Sequence, residues 1–508
     1  MNASGPKAYT IRGVDSMPAD IASPLHLAPV EDKATLVDFE GGRLSSDGGL
    51  VLLNDPDDQL GLTRDLAAVL RDPRDPRRVD FTLHDLLKQR VLHIAAGYED
   101  ANDATTLRHD PIFKLLLGRL PDSGTPLASQ PTISRFENRV SRTALYRLAR
   151  VFVEQFIASY NRPPKLIVLD FDDTEDPAHG EQEYIRYDGY YGGYCFLPLH
   201  VYEGLSGRLI TTIFKAKRFS GAQLLSVLKR LVKHLRHAWP ETLIVFRGDS
   251  HFTSPEVMQW IEAQANLHYV TGLTSNGVLQ KLAHEVVEQA KRAYGRDGGK
   301  VTRFHSTRYQ AGTWSRSRRV VIKVEVSEQG VNTRFVVTDL DQARAKELYR
   351  QIYCARGQAE NDIKDHKRSL KSDRTSCHRF EANQFRLFLH SAASVLLDTL
   401  RREVLKGTPW AWATMETIQL RLLKLGARVQ ELTDRIKISL PSSCPVAPVL
   451  RRSLTLLACV RLTSPALCGR SRAQRLTCQA AEVGPRGLTG CRVPGRALPT
   501  DVHGVRKT

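Results

Sequence analysis

Carboxylates recur in this chain where phosphodiester chemistry would need them. Asp170-Phe-Asp172-Asp173-Thr174 ends one apolar run, Arg247-Gly248-Asp249-Ser250 ends another, and Glu360 lies within Tyr353-Cys-Ala-Arg356-Gly-Gln-Ala-Glu360-Asn-Asp-Ile-Lys364-Asp-His-Lys367. At about 100° per residue, Tyr353, Arg356, Glu360 and Lys367 fall in one narrow helical stripe. Many solvated helices carry such a stripe: Arg356 with Glu360, and Glu360 with Lys364, are i,i+4 pairs that contribute only about a few tenths of a kcal/mol each. Three separated carboxylate groups are more specific, because cleavage by two divalent ions needs carboxylates that hold the metals about 3.5 to 4 Å apart, one ion activating the attacking oxygen and the other stabilising the leaving oxygen. Hard oxygen ligands suit Mg2+ or Mn2+, which keep water and substrate phosphate in their remaining positions. Asp170 and Asp172 alternate onto one strand face and Asp173 onto the other, so one or two of the three can face such a site.

The elements that must position these groups are legible in outline. Residues 36–162 read as a helical domain after an irregular 1–35; within it Thr82 can cap a helix closed at Gly97, and Ser129-Gln-Pro-Thr132-Ile-Ser-Arg135 can open a helix whose first turn faces a phosphate or base edge, or an ordinary capped helix. From Pro164 short β-rich runs take over: Lys165 to Asp170, Phe196 to Tyr202, Arg208 to Phe214 and Leu243 to Phe246, with an amphipathic helix from Leu224 between the last two. Residues 163–273 are therefore expected to form the first part of a mixed sheet covered by helices, 274–340 a β-rich insertion, and 341–450 the closing helices with Glu360. His234 and His237 have a metal-ligand spacing but no partners nearby in sequence. His179 and Gln182 either touch DNA or shape the turn after the first carboxylates. Trp314, in Thr313-Trp-Ser-Arg316-Ser-Arg318-Arg319, is an aromatic beside three cations within the insertion, where packing is its commoner role.

The chain has 508 residues, 42% hydrophobic and 25% charged, enough to bury two or three domain cores. Its formal charge of +18 favours a polyanionic partner, of which nucleic acid is the commonest. Half of that charge lies in residues 451–508, which lack Phe, Tyr, Trp and Ile and read as a disordered basic tail. The N-terminus has no apolar signal core and no run of about 20 apolar residues follows, so neither secretion nor membrane insertion is expected. Eight cysteines without a Cys-x-x-Cys pair support neither zinc fingers nor a disulfide framework, and reduced thiols in a cytoplasm are expected.

On these residues the chain resembles the DDE transposases of bacterial insertion sequences. The branch is the one whose third acid lies in Tyr-x2-Arg-x3-Glu-x6-Lys, a spacing that Tyr353, Arg356, Glu360 and Lys367 meet; the Asp-x-Asp-x-Thr and Arg-Gly-Asp-Ser blocks resemble the insertion-sequence family numbered thirteen-eighty. The resemblance covers residues 35 to 450. It implies an α/β fold, an RNase H-like mixed sheet with flanking helices, interrupted by the β-rich insertion and preceded by the helical N-terminal DNA-binding domain. It implies Asp172, Asp249 and Glu360 as catalytic, Mg2+- or Mn2+-binding acids, with Asp170 second to Asp172 because Asp172-Asp173-Thr174 fits the family's Asp-x-Thr. Tyr353, Arg356, Lys367 and Trp314 would contact DNA. His251 stands where relatives often have Gly. The implied partners are double-stranded DNA, both terminal inverted repeats and target, and a second copy of the chain, in a bacterial cytoplasm at the nucleoid. The alternatives are an RNase H-like nuclease without strand transfer and an inactive or regulatory DNA-binding descendant.

Overall fold

The computed structural model describes residues 24–463. Its centre is an eight-stranded sheet, here numbered along the chain as β1 Leu166–Asp173, β2 Leu199–Glu203, β3 Arg208–Ile213, β4 Leu243–Gly248, β5 Leu267–Leu273, β6 Val301–Tyr309, β7 Arg318–Ser327 and β8 Gly330–Thr338. The spatial order is β6-β7-β8-β5-β4-β1-β2-β3. The three middle strands, β5, β4 and β1, run parallel, and every other pairing is antiparallel. Parallel strands are buried on both faces and so read as continuous apolar runs, which is how Leu166 to Phe171 and Leu243 to Phe246 appear.

The helices used below are α1 Leu83–Ala95, α2 Gln130–Asn138, α3 Arg142–Ala158, α4 Gly221–Ala238, α5 Pro255–Glu262, α6 Gly277–Asp297, α7 Gly357–Leu370 and α8 Phe380–Thr399. Thr82 caps α1 as its sequence predicts, in a reciprocal box with Asp85. Ser220 and Gln223 do the same for α4, whose Leu224, Leu228, Leu231 and Leu235 line up at helical spacing against the sheet. That face also receives α5, α6 and the end of α3, which meet Ile167, Leu169, Phe171, Ile244 and Phe246. The opposite face carries Val168, Val245, Val270, Val321 and Val336 under Leu348 and Tyr349.

Two expectations change. Residues 274–340 extend the central sheet through β6, β7 and β8 and also contain α6, started by Asn276, whose side chain accepts from the Val278 and Leu279 N–H groups. Residues 451–463, read as the start of an unstructured tail, continue the helix Ala447–Thr463, with Leu450 and Leu457 in the core; the rest of that tail and residues 1–23 lie outside the described residues. The helices from residue 48 to 158 share one core with α8 and the segments up to Leu457. No helix among the described residues is long and apolar enough to cross a membrane.

Candidate active site

Asp172 and Asp249 come together through sheet register. Gly248 at the end of β4 pairs with Phe171 of β1, so the next residue of each parallel strand, Asp249 and Asp172, stands level at the carboxyl end of the sheet. That end is where open α/β sheets place ligands. Asp170, two residues earlier on the same face, is fully buried: Arg247 clamps it with Nε on Oδ1 and Nη2 on Oδ2, both at 2.5 Å, and sends Nη1 to the Ile352 carbonyl. Asp170 thus fastens β1 to β4 and to the approach of α7, and Asp172 is the carboxylate of that face that reaches the strand ends. Asp173, on the other face, pairs with Lys215 at 2.6 Å.

Glu360 arrives on α7, but not on one continuous α-helix from Tyr353. A π-helical turn spans Leu348–Tyr353, a 3-10 turn spans Cys354–Arg356, and only then does α7 begin. The changes of pitch rotate Tyr353 and Arg356 relative to the expected stripe, and π turns recur at functional sites. Arg356 lies between the acids: Nη1 donates to Asp172 Oδ2 at 2.9 Å and Nη2 to Glu360 Oε1 at 2.5 Å. Burial works against its charge, but Asp172 and Glu360 hold its pKa above the ordinary value. Asp172 is pushed up to about 7, first by burial and then by Asp249, Glu360 and Asp173, with Arg356 opposing.

Asp249 caps the short turn Ser250–Phe252 by accepting the His251 backbone N–H at 2.8 Å. The His251 ring bridges outward, with Nδ1 3.2 Å from Asp249 Oδ2 and Nε2 2.8 Å from Arg218 Nη1. A guanidinium only donates, so Nε2 accepts and Nδ1 carries the hydrogen toward Asp249. Tyr353 is half-buried; burial raises its pKa, Arg356 opposes and Asp249 adds. A Cβ on Gly272 would stand 2.7 Å from the Tyr353 hydroxyl and 2.8 Å from the Ser250 nitrogen, so only glycine allows this approach.

A cleft of about 550 Å³ opens beside Asp172, Asp173 and Glu360. Lys364, Lys367, Arg368, Lys371 and Arg374 line it. Lys367 is engaged, donating to the Glu175 carbonyl at 2.6 Å with Asp373 3.6 Å away, and Arg374 pairs with Glu99 at 2.7 Å. Lys364, Arg368 and Lys371 are exposed. Sequence reading named Lys364 only as a partner of Glu360 and missed Arg368 and Lys371, although they continue the same i, i+4, i+7 spacing.

Trp314 lies away from this group, 6% exposed, edge-on to Tyr309 at 5.3 Å and under Arg318 at 5.2 Å. Gln182 holds the carbonyls of Thr375 and Cys377 and the His179 N–H, shaping the turn. His234 faces Glu154 at 3.7 Å. Among the described residues no three candidate ligands converge closely enough to hold a metal as they stand. In kind and charge the acids nonetheless fit a divalent cation: Asp249 and Glu360 add to the cost of ionising buried Asp172, and a guanidinium already sits where a cation is favoured.

A family model described as transposase DDE domain group 1 matches residues 27–462. Among curated proteins none matches the chain. Among solved structures, a cryo-EM structure of a piggyBac transposase synaptic complex with hairpin DNA is similar over 84% of each chain at 13% identity, with a TM-score of 0.40.

Proposed function

Because the chain belongs to the transposase DDE domain group 1 family, we propose that it is a Mg2+-dependent transposase that binds the terminal inverted repeats of an insertion sequence, cleaves the DNA ends by hydrolysis and joins them to target DNA. The observation that carries this reading is the Asp172, Arg356, Glu360 chain, level with Asp249 and opening onto a cleft rich in cations. Asp172, Asp249 and Glu360 would hold the metal. When bound, a pair of such ions would activate the attacking oxygen and stabilise the leaving one.

The chain's own residues supply the rest. Arg356 and Tyr353 stand beside the acids with donors suited to phosphate oxygens, and Lys364, Arg368 and Lys371, with Lys367 behind them, give the DNA backbone a cationic track along α7. The His251 ring and Arg218 aim Asp249. Parallel β1, β4 and β5 with acids at the ends of β1 and β4 favour an RNase H-like core, and the Tyr353, Arg356, Glu360, Lys367 spacing favours the Tyr-Arg-Glu-Lys branch. The helices before residue 162 would read the repeats, and pairing two ends calls for two protomers.

The test is incubation with a labelled duplex carrying the DNA that flanks the chain's own gene, in Mg2+ and then in EDTA, for the native chain and Asp249→Ala. A metal-dependent nick absent from the variant supports the proposal, and its labelled end should then appear joined to a target plasmid. Nicks without joining would indicate a nuclease; binding without nicks in either protein would indicate a regulatory DNA-binding descendant.

A further inference from the structure

The approach to the candidate site is aromatic as well as cationic. A three-stranded sheet of Asp176–Pro177, Arg186–Asp188 and Gly193–Phe196 lies between β1 and β2 in sequence. Its outer end carries Tyr187, Tyr190 and Tyr194, which are 61%, 79% and 61% exposed. Tyr187 and Tyr194 are cross-strand partners that meet edge to face at 5.6 Å, and Tyr190 meets Tyr191 at 4.9 Å. Rings left this open add little to the fold, and such a group of exposed aromatics marks a surface that meets something else.

Its place says what. The Arg218 guanidinium lies 5.9 Å from the Tyr190 ring centre, and the same guanidinium donates to His251, whose ring reaches Asp249. The tip is therefore two side chains from a carboxylate of the candidate site. The acid of this hairpin, Asp188, accepts the Tyr190 and Tyr191 N–H groups and fixes the turn, and Glu175 acts on Tyr191 from the strand side, so the cation set against the open rings is Arg218, over Tyr190. Open ring faces with a guanidinium at their inner edge, on the side of the candidate site, suit a ligand with flat bases on an anionic chain. In a duplex those base faces are covered by stacking, so the fitting ligand is unpaired.

We propose that Tyr187, Tyr190 and Tyr194 form a stacking platform for unpaired DNA bases beside the cleavage site. This rests on the transposase reading, and the experiment separates the two. Fluorescence anisotropy is measured with a short labelled oligothymidylate and with a blunt mixed-sequence duplex of equal length, for the native chain, Tyr187→Ser/Tyr190→Ser and Tyr187→Phe/Tyr190→Phe, with melting temperature as the folding control. The serine pair should weaken oligothymidylate binding roughly tenfold per ring removed while leaving duplex binding almost unchanged, and the phenylalanine pair should bind as the native chain does. Equal losses on both DNAs, no loss, or a phenylalanine pair as weak as the serine pair would overturn the platform and leave the transposase reading standing. A native chain that binds neither DNA would overturn both. A serine pair that turns a dimer into a monomer in sedimentation with oligothymidylate binding intact would make the surface a contact between copies, and the proposal would fall.

Discussion

Two aspartates two residues apart on one strand face meet opposite fates, and stability should tell them apart. Asp170 is fully buried and clamped by Arg247, and although burial still holds its carboxyl above the ordinary value, Asp170→Asn leaves a buried guanidinium without its charge partner and should cost about 3 to 5 kcal/mol in chemical denaturation. Asp172 is ionised at a penalty, its pKa pushed up to about 7 by burial and by neighbouring acids; Asp172→Asn should leave stability unchanged or improve it while abolishing cleavage. Equal destabilisation by both would mean that Asp172 is a fold residue. Arg356 belongs to the same argument. It holds two of the three acids, so it competes with any metal for them. Arg356→Gln should tighten Mn2+ binding without DNA by roughly tenfold, the size expected when a cation is removed from a partly solvated site. Calorimetry that finds equal affinities would show that the arginine is no competitor.

At the scale of elements, α7 ends in a residue that its own geometry disfavours. Lys371 adopts a left-handed conformation, φ 55°, at the C-cap where glycine is the usual choice. If it is kept for its charge at the cleft, Lys371→Gly should raise stability by up to about 1 kcal/mol yet weaken duplex binding and reduce the salt slope by about 0.9. A variant that is stabler and binds DNA as before would assign the lysine no part in the track. The charges of α7 were visible in the sequence because Glu360, Lys364 and Lys367 are local. The strand ends were visible too, since β1 and β4 are apolar runs that stop at acids. What could not be read there was relational. The π turn before α7 carries Leu348 and Tyr349 onto the sheet; Arg218 reaches His251 from another segment; and the helical spacing of Leu279, Ala283, Val286 and Ala290 in α6 is masked by the β-rich runs after it.

For the whole molecule the decisive fact is a core that crosses the expected domain boundary. Leu87, Val91 and Ile133 pack with Phe385, Leu389 and Leu396, and at their centre Arg90 of α1 pairs with Glu137 of α2 at 2.6 Å while Arg386 of α8 approaches the same acid at 3.8 Å. The regions before 162 and after 370 should therefore unfold together, and one buried group gives a way to follow that event. His93 of α1 is enclosed in this core, edge-on to Phe113 at 4.8 Å. Burial, and then Arg90, lowers its pKa to about 3. An unfolded histidine titrates near 6.5, so as pH falls from there toward about 3 the unfolded chain takes up a proton that the folded chain refuses, and stability drops by about 1.4 kcal/mol per pH unit for this group. Buried His366 and His390 act in the same direction, whereas Asp362, raised to about 6 by burial, takes its proton first in the folded state and acts in the opposite one. The total slope is a balance, but the difference between the native chain and His93→Leu isolates one imidazole. The variant's stability should fall less steeply below pH 6.5, by that same amount per unit, and a single transition should report both regions. Parallel pH curves would mean that His93 is hydrated or protonated in the folded chain, and two separate transitions would mean that the helices before 162 fold without α8.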